Sequence, residues 1–238
     1  MITKVVISAA GRGTRMKHLS QRRPKHLIEV GGKPFLNYVL ENVRAAGLTD
    51  ITIVSGYFSD QIESFLKTVP YPVRVMNQFE LLGTEEYGTA CPIKVVRDVI
   101  GTDQFIALAG DNYYEVSDIT KMIHEDEFTY VGAKTTDHPE TKGVLVTDAD
   151  GILESIVEKP ATFMGNLVNG SAYKFTHDIF DVIDDVPLSS RGEYEITDAI
   201  TALAALRKVK VVKIDGYWID FGNPDDIHQF EQYLSTRQ

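Results

Sequence analysis

The chain has 238 residues, 43% of them hydrophobic and 24% charged, enough to bury a sizeable core, so a mainly disordered chain is excluded. Its 34 acidic residues outnumber 24 basic ones, and the net charge of -10 argues against a nucleic-acid-binding surface. No apolar run approaches the roughly 20 residues of a membrane span, and a single cysteine, Cys91, allows neither an internal disulfide nor a cysteine-based zinc site, so a cytoplasmic protein that engages no membrane is expected.

Residues 4–9 (KVVISA) are apolar and β-branched and run into a glycine turn at Gly11 to Arg15, which reads as a buried strand feeding a loop. Pro34 opens a helix with Leu36, Val39, Leu40 and Val43 on one face, and Gly47 closes it. Residues 51–55 read as a strand, and Ser59 as the cap of a helix carrying Ile62, Phe65, Leu66 and Val69. A strand at 73–76, a helix at 89–100 and a strand at 105–109 complete an alternation that predicts βαβ units in a mostly parallel sheet, with helices on both faces. After residue 128 the pattern changes. Segments 129–134, 143–147, 152–158 and 168–175 are strand-like, with Asp148-Ala149-Asp150-Gly151 as a hairpin turn. Helices follow at 176–185 and 195–207, then a strand at 209–214. Asn223-Pro224-Asp225-Asp226 reads as a helix start, with Asn223 as cap, Pro at the first position and acids in the first turn. No repeat or linker interrupts the chain. The expectation is one α/β domain over 1–238: a Rossmann-like half to about residue 127, and a second half, 128–238, that adds strands and a small lobe to the same sheet.

The glycine turn after the first strand is where such folds bind anions through backbone N–H groups. A Walker A loop fails because no Gly-Lys-Ser/Thr follows, and a dinucleotide finger fails because Met16 stands where its third glycine belongs. A plain tight turn would explain Gly11-x-Gly13 alone. It does not explain Arg12, Arg15, Lys17, Arg22, Arg23, Lys25 and Lys33 crowded around it in an acidic chain.

Gly11-x-Gly13-Thr14-Arg15-Met16, then Pro24-Lys25-x-Leu27, then Gly32-Lys33-Pro34 resemble the sugar nucleotidyltransferase family, the NDP-sugar pyrophosphorylases. The likeness continues through Gly88-Thr89-Ala90, Gly110-Asp111, Lys142-Gly143-Val144, Glu158-Lys159-Pro160, Asn166-Leu167-Val168-Asn169 with Tyr173, and Trp218-Ile219-Asp220-Phe221-Gly222-Asn223-Pro224. Asp111-Asn112 and Gly192 to Asp198 are most similar to the glucose-1-phosphate thymidylyltransferase branch. Asn169-Gly170-Ser171-Ala172-Tyr173 departs from the family's N-A-G-I-Y.

The resemblance implies a nucleoside triphosphate and a sugar 1-phosphate, a hexose such as glucose, as substrates, and leaves a homo-oligomer open. Ala10, Gly11, Gly13, Thr14 and Arg15 would grip the triphosphate, with Lys25 reaching it from the other side. Gln78 or Glu80, with Gly88 and Thr89, would receive the base; a second Gly-Thr pair, Gly83-Thr84, competes for that role, and the helix after Thr89 favours the later one. Asp111 and Asp220 would hold one Mg²⁺, which prefers one or two carboxylates plus phosphate and water. Gly143, Glu158, Asn169 and Tyr173 would bind the sugar, and Lys159 its phosphate. Other readings stay open: a cytidylyltransferase acting on phosphocholine or another phosphate acceptor, with Tyr173, Tyr217 and Trp218 as aromatic walls, or a silent sugar-nucleotide-binding regulator.

Overall fold

The strand β1 (Lys4–Ala9) is apolar along its length because both of its faces are covered. Val5, Ile7 and Ala9 enter one core; Val6 enters the other, on the opposite side of the sheet. A computed structural model describes residues 1–237. After β1 come β2 (Glu29–Val30), β3 (Lys33–Pro34), β4 (Asp50–Ser55), β5 (Arg74–Asn77), β6 (Phe105–Ala109), β7 (Asn112–Tyr114), β8 (Thr129–Thr135), β9 (Gly143–Thr147), β10 (Leu153–Glu158), β11 (Leu167–Phe175), β12 (Val209–Lys213) and β13 (Trp218–Asp220). The helices are α1 (Phe35–Ala45), α2 (Ser59–Leu66), α3 (Gln78–Leu82), α4 (Cys91–Val95), α5 (Arg97–Ile100), α6 (Val116–Lys121), α7 (Ile179–Val182), α8 (Ile196–Ala205) and α9 (Asp225–Ser235).

Nine strands form one mixed sheet in the order β10-β9-β11-β6-β1-β4-β5, with β8 paired to β11 and β12 to β8. β5, β4, β1 and β6 run parallel, in register from Lys4 beside Asp50 and Phe105 to Ser8 beside Val54 and Ala109. Their carboxyl ends therefore emerge together, and the loops after β1 and β6 meet there. α1 covers one face. Its Phe35, Leu36, Val39, Leu40 and Val43 are all buried, each contributing about 1.5–3 kcal/mol of transfer free energy. Phe35 stacks on Phe221 at 4.2 Å between centroids and meets Phe230 of α9 edge-on at 5.3 Å. This aromatic contact joins the chain's two ends.

β11 changes the architecture. Its residues 172–175 lie antiparallel beside β6, extending the parallel half, while Val168 meets Val144 of β9. Between these stretches the register against β8 breaks, Ser171 takes a left-handed φ of 56°, and the Tyr114 hydroxyl donates to the Gly170 and Ser171 carbonyls at 2.9 and 2.7 Å. The sheet forks at this bulge, and β9 and β10 form the added lobe.

Several local expectations are corrected. Residues 89–100 are two short helices, broken at the fully buried Val96 (φ -90°, ψ 0°); Arg97 is turned to donate to the Phe180 carbonyl at 2.8 Å and Asp184 at 2.6 Å. Tertiary contacts override the helical pattern there. Ser59 is not a cap: it follows Phe58, and its hydroxyl pairs with Ser55. Asn223 does not cap α9; the Asp226 carboxylate instead accepts the Gly222 and Asn223 N–H groups at 2.8 and 2.6 Å. In 176–185 the helix begins only at Ile179, and 183–185 is a 3₁₀ turn.

Candidate active site

The loop after β1 closes on itself. The Gly13 carbonyl accepts the Met16 N–H at 2.9 Å and the Ser20 hydroxyl at 2.7 Å. Among the described residues no backbone acceptor meets the N–H of Gly11 or Gly13, which leaves these donors for an anion. At the rim the Arg12 guanidinium donates to the Tyr57 hydroxyl and lies over its ring at 4.7 Å. Gly11, Gly13, Thr14, Arg15, Lys25, Asp111 and Lys159 line one cleft of about 890 Å³, with Arg191 on its wall.

Lys25 is carried by a 3₁₀ turn (Lys25–Leu27) under that loop, is buried, and is ion-paired with the Asp111 carboxylate. Burial by itself would raise the Asp111 carboxyl, but the Lys25 ammonium and neighbouring donors hold it below the ordinary carboxylate value. Beside the pair His26 is fully buried, its Nδ1 without a partner; burial, reinforced by Lys25, pushes its pKa down to about 4. It is a neutral imidazole at pH 7.

A second cavity of about 150 Å³ opens off the cleft, lined by Ala10, Gly11, Gln78, Tyr87, Gly88, Thr89 and Pro92. Gln78 is 1% exposed, and neither amide atom has a partner. Unpaired buried amides are costly, and a planar ligand edge would satisfy both donor and acceptor. Glu80, the other candidate, is exposed, and its carboxylate accepts from Asn77 at 3.0 Å. Thr84 lines the outer cleft, whereas the Thr89 hydroxyl is fixed against α8: it accepts the Ile196 N–H at 2.9 Å and donates to Glu195 at 3.3 Å.

Asp111 and Asp220 are 109 positions apart, and a three-residue ladder joins them. β13 pairs with β7 so that Asp220 faces Asn112, and the Phe221 N–H donates to the Asp111 carbonyl at 2.7 Å. Arg15 stands 3.7 Å from one Asp220 oxygen and Lys142 3.5 Å from the other. Each carboxylate is thus matched by monovalent cations that a divalent ion would replace. Hard oxygen donors from two residues suit Mg²⁺, and no cluster of three or more acid, His or Cys ligands exists among the described residues, so phosphate and water would complete the shell.

The sugar candidates lie on the lobe and on β11 where the lobe leaves the sheet. Gly143 pairs with Glu158, and a Cβ at 143 would stand 3.0 Å from the Glu158 carboxylate and 4.0 Å from Asn169 Cβ. The backbone can come close to a ligand there because no side chain intervenes. The Asn169 amide donates to the Tyr173 hydroxyl at 2.8 Å, and burial pushes that phenol up to about 12, keeping it protonated. Lys159 takes a left-handed φ of 45°, donates its N–H to the Lys142 carbonyl at 3.0 Å and turns an exposed side chain to the cleft. Gly143, Glu158 and Asn169 adjoin this cleft through Lys159 rather than lining it, and Lys142 and Asp220 stand beside it.

Arg12 and Lys142, named in the sequence only among the loop cations and within a motif, and His26, Arg191 and Glu195 are the residues near the cleft to which the sequence gave no individual role. Glu195 is buried and accepts from Arg191 at 2.7 Å and Ser189 at 3.2 Å, tying the cleft wall to Thr89. Arg191 and Glu195 lie in or beside the Gly192 to Asp198 stretch quoted above, which carried a resemblance but no chemistry.

The nucleotidyl transferase family model matches residues 4–237. The chain is 34% identical over 230 residues to the bifunctional protein GlmU of Methanocaldococcus jannaschii, covering 96% of this chain and 53% of that protein. It is 32% identical over 237 residues to the UTP–glucose-1-phosphate uridylyltransferase AglF of Haloferax volcanii, covering 97% and 96%. The chain spans about half the length of the first curated relatives it matches. An apo UDP-glucose pyrophosphorylase shares the fold with a TM-score of 0.87 at 20% identity, over 100% of both chains. A UTP-bound UGPase from Acinetobacter baumannii does so with 0.82 at 20%, over 100% and 95%. No helix of the described residues is long and apolar enough to cross a membrane. With the glycine loop, Asp111 and Lys159 on one cleft, Asp220 joined to Asp111 by the β7–β13 ladder, and a family match over nearly its whole length, this chain belongs to the nucleotidyl transferase family.

Proposed function

We propose that the protein condenses a nucleoside triphosphate with a sugar 1-phosphate, giving an NDP-sugar and pyrophosphate. The observation that carries the reading is the meeting of Lys159, from the acceptor lobe, with Arg15, Lys25 and Asp111 in one cleft. An oxygen of the sugar phosphate attacks the α-phosphorus, a new P–O bond forms, and the bond to the β-phosphate oxygen breaks with its electrons leaving on pyrophosphate. The nucleophile is already anionic near neutral pH, since a phosphate monoester's second pKa is about 6, so no general base is required. The difficulty is bringing polyanions together, and positioned cations meet it. Arg15, Lys25 and the 11–14 loop hold the triphosphate. Lys159 holds the acceptor phosphate, while Gly143, Glu158, Asn169 and Tyr173 hold the sugar.

Gln78, with Ala10, Gly88 and Thr89, receives the base, which we take to be a pyrimidine, a reading supported by one relative named for UTP and glucose 1-phosphate. Enzymes of this family generally use a divalent metal ion, and we assign Mg²⁺ to Asp111 and Asp220. It would supply charge neutralisation at the phosphates. Labour divides near residue 127, nucleotide before and sugar and metal after, with Asp111 reaching across through the β7–β13 ladder. A cytoplasmic setting suits a chain whose single cysteine is buried. The phosphocholine reading gains less support: Tyr217 is stacked on Tyr233 at 3.7 Å, Tyr173 is buried, and the Trp218 ring faces the Lys142 ammonium at 5.0 Å.

Incubation with Mg²⁺, each of the four ribonucleoside triphosphates or dTTP, and a panel of sugar 1-phosphates with phosphocholine, tests the reading through pyrophosphate release. Release with a pyrimidine triphosphate and a hexose 1-phosphate is expected. Release with phosphocholine alone would reassign the acceptor, and no release from folded protein would refute the reaction.

A further inference from the structure

Beside Lys159, the lobe carries a lysine for which this reaction, as described, has no use. Lys142 follows the 3₁₀ turn Pro139–Thr141 and precedes Gly143. Its main-chain carbonyl accepts the Lys159 N–H at 3.0 Å. Its side chain, one-third exposed, brings Nζ to 3.5 Å from Asp220 Oδ2 and 5.0 Å from the centroid of the Trp218 ring. The other Asp220 oxygen faces Arg15 Nη2 at 3.7 Å. Asp220 therefore stands between one cation from the nucleotide loop and one from the acceptor lobe.

We propose that Lys142 is a ligand of the acceptor phosphate that rests on Asp220 until a divalent cation claims that carboxylate. This deepens the proposed function and rests on it. A divalent ion on that carboxylate neutralises it and repels an ammonium 3.5 Å from one of its oxygens, so the Lys142 contact is weakened. The released ammonium has a flexible stem anchored beside Gly143 and Lys159, so it stays on the acceptor side. The Trp218 face gives it a resting surface that costs no hydrogen bond. There it faces the same dianion as Lys159, and a phosphate monoester carrying nearly two charges needs more than one cation. A latch of merely structural value, tying the lobe to β13, would also compete with the metal for Asp220 but would leave the affinity for the sugar phosphate alone.

The two readings separate on the affinity for the sugar phosphate. Lys142→Gln and Lys142→Arg are compared with the parent after circular dichroism shows all three folded. Mn²⁺ binding without substrates is followed by electron paramagnetic resonance. Lys142→Gln should bind Mn²⁺ about two- to fivefold more tightly than the parent, the scale of a partly exposed ion pair. With Mn²⁺ present, its affinity for glucose 1-phosphate should fall about ten- to a hundredfold, the scale of one charge-assisted hydrogen bond. Its KM for the triphosphate should stay within about twofold, and Lys142→Arg should recover most of the loss. Unchanged or weaker Mn²⁺ binding by Lys142→Gln overturns the proposal, as does unchanged affinity for glucose 1-phosphate. A parent that binds no glucose 1-phosphate and releases no pyrophosphate fails the reaction itself, a result distinct from a working parent whose Lys142→Gln variant behaves like it.

Discussion

Gly222→Ala isolates the placement of Arg15. A Cβ at position 222 would stand 2.8 Å from Arg15 Nη2, 2.9 Å from Cζ and 3.1 Å from Nη1. The backbone has little room to yield, because the Gly222 N–H is held by Asp226 at 2.8 Å and the Phe221 N–H by the Asp111 carbonyl at 2.7 Å. Gly222 does not occupy the left-handed region, so alanine adds no backbone strain of its own. Ordinary carbon contacts begin near 3.5 Å, and the guanidinium must retreat by roughly 0.5–1 Å. Arg15 is 59% exposed and can swing toward solvent, so the fold loses little. A displacement of about 1 Å at a group that positions a phosphoryl donor costs on the order of 10² in rate, or about 2.7 kcal/mol of transition-state stabilisation. Steady-state pyrophosphate release should show kcat/KM down about a hundredfold with Tm within about 3 °C of the parent. Turnover within about threefold of the parent would refute the placement argument, and a Tm loss well beyond about 3 °C would show that the backbone, not Arg15, gave way.

Asp111→Asn and Asp220→Asn should each lower kcat by about 10²–10³ with the circular dichroism spectrum retained; near-full turnover at saturating Mg²⁺ would overturn the metal assignment. Gln78→Leu removes an unpaired buried amide, so Tm should hold or rise while KM for the triphosphate climbs about tenfold; an unchanged KM would separate Gln78 from the base. His26 has a folded pKa lowered to about 4 from 6.5, so the unfolded chain binds its proton first and stability falls as pH drops from 6.5 toward 4. That loss is at most about 3 kcal/mol, and denaturant titrations of His26→Leu should lack it; an identical pH profile would contradict a buried neutral imidazole.

The parallel half was legible because its signal is local. β1, β4 and β6 are buried on both faces, so they read as apolar runs, and α1 shows its stripe at helical spacing. The loop residues Gly11 to Arg15, Lys25 and Lys159 were legible through a resemblance spread over several motifs, and the structure brings them to one cleft. β7 and β13 were not legible. Three residues carry no periodicity, and their stability comes from pairing across more than a hundred positions. The break at Val96 was hidden because residues 89–100 satisfy a helical pattern that the contacts of Arg97 with the α7 region override.

Which segments must be buried, and which chemical groups the chain owns, can be read along the residues: a glycine loop amid cations, and carboxylates at the ends of strand-like segments. Which of these groups meet is fixed by the folded arrangement. The Asp111–Asp220 ladder, the bulge at Gly170-Ser171 that turns the lobe, the solitary Gln78 amide and the Lys142–Asp220 contact all depend on segments far apart in the chain. Hydrophobic burial is written residue by residue along the sequence, whereas hydrogen bonds and charge pairs act over a few ångströms, and that proximity exists only once the sheet has assembled.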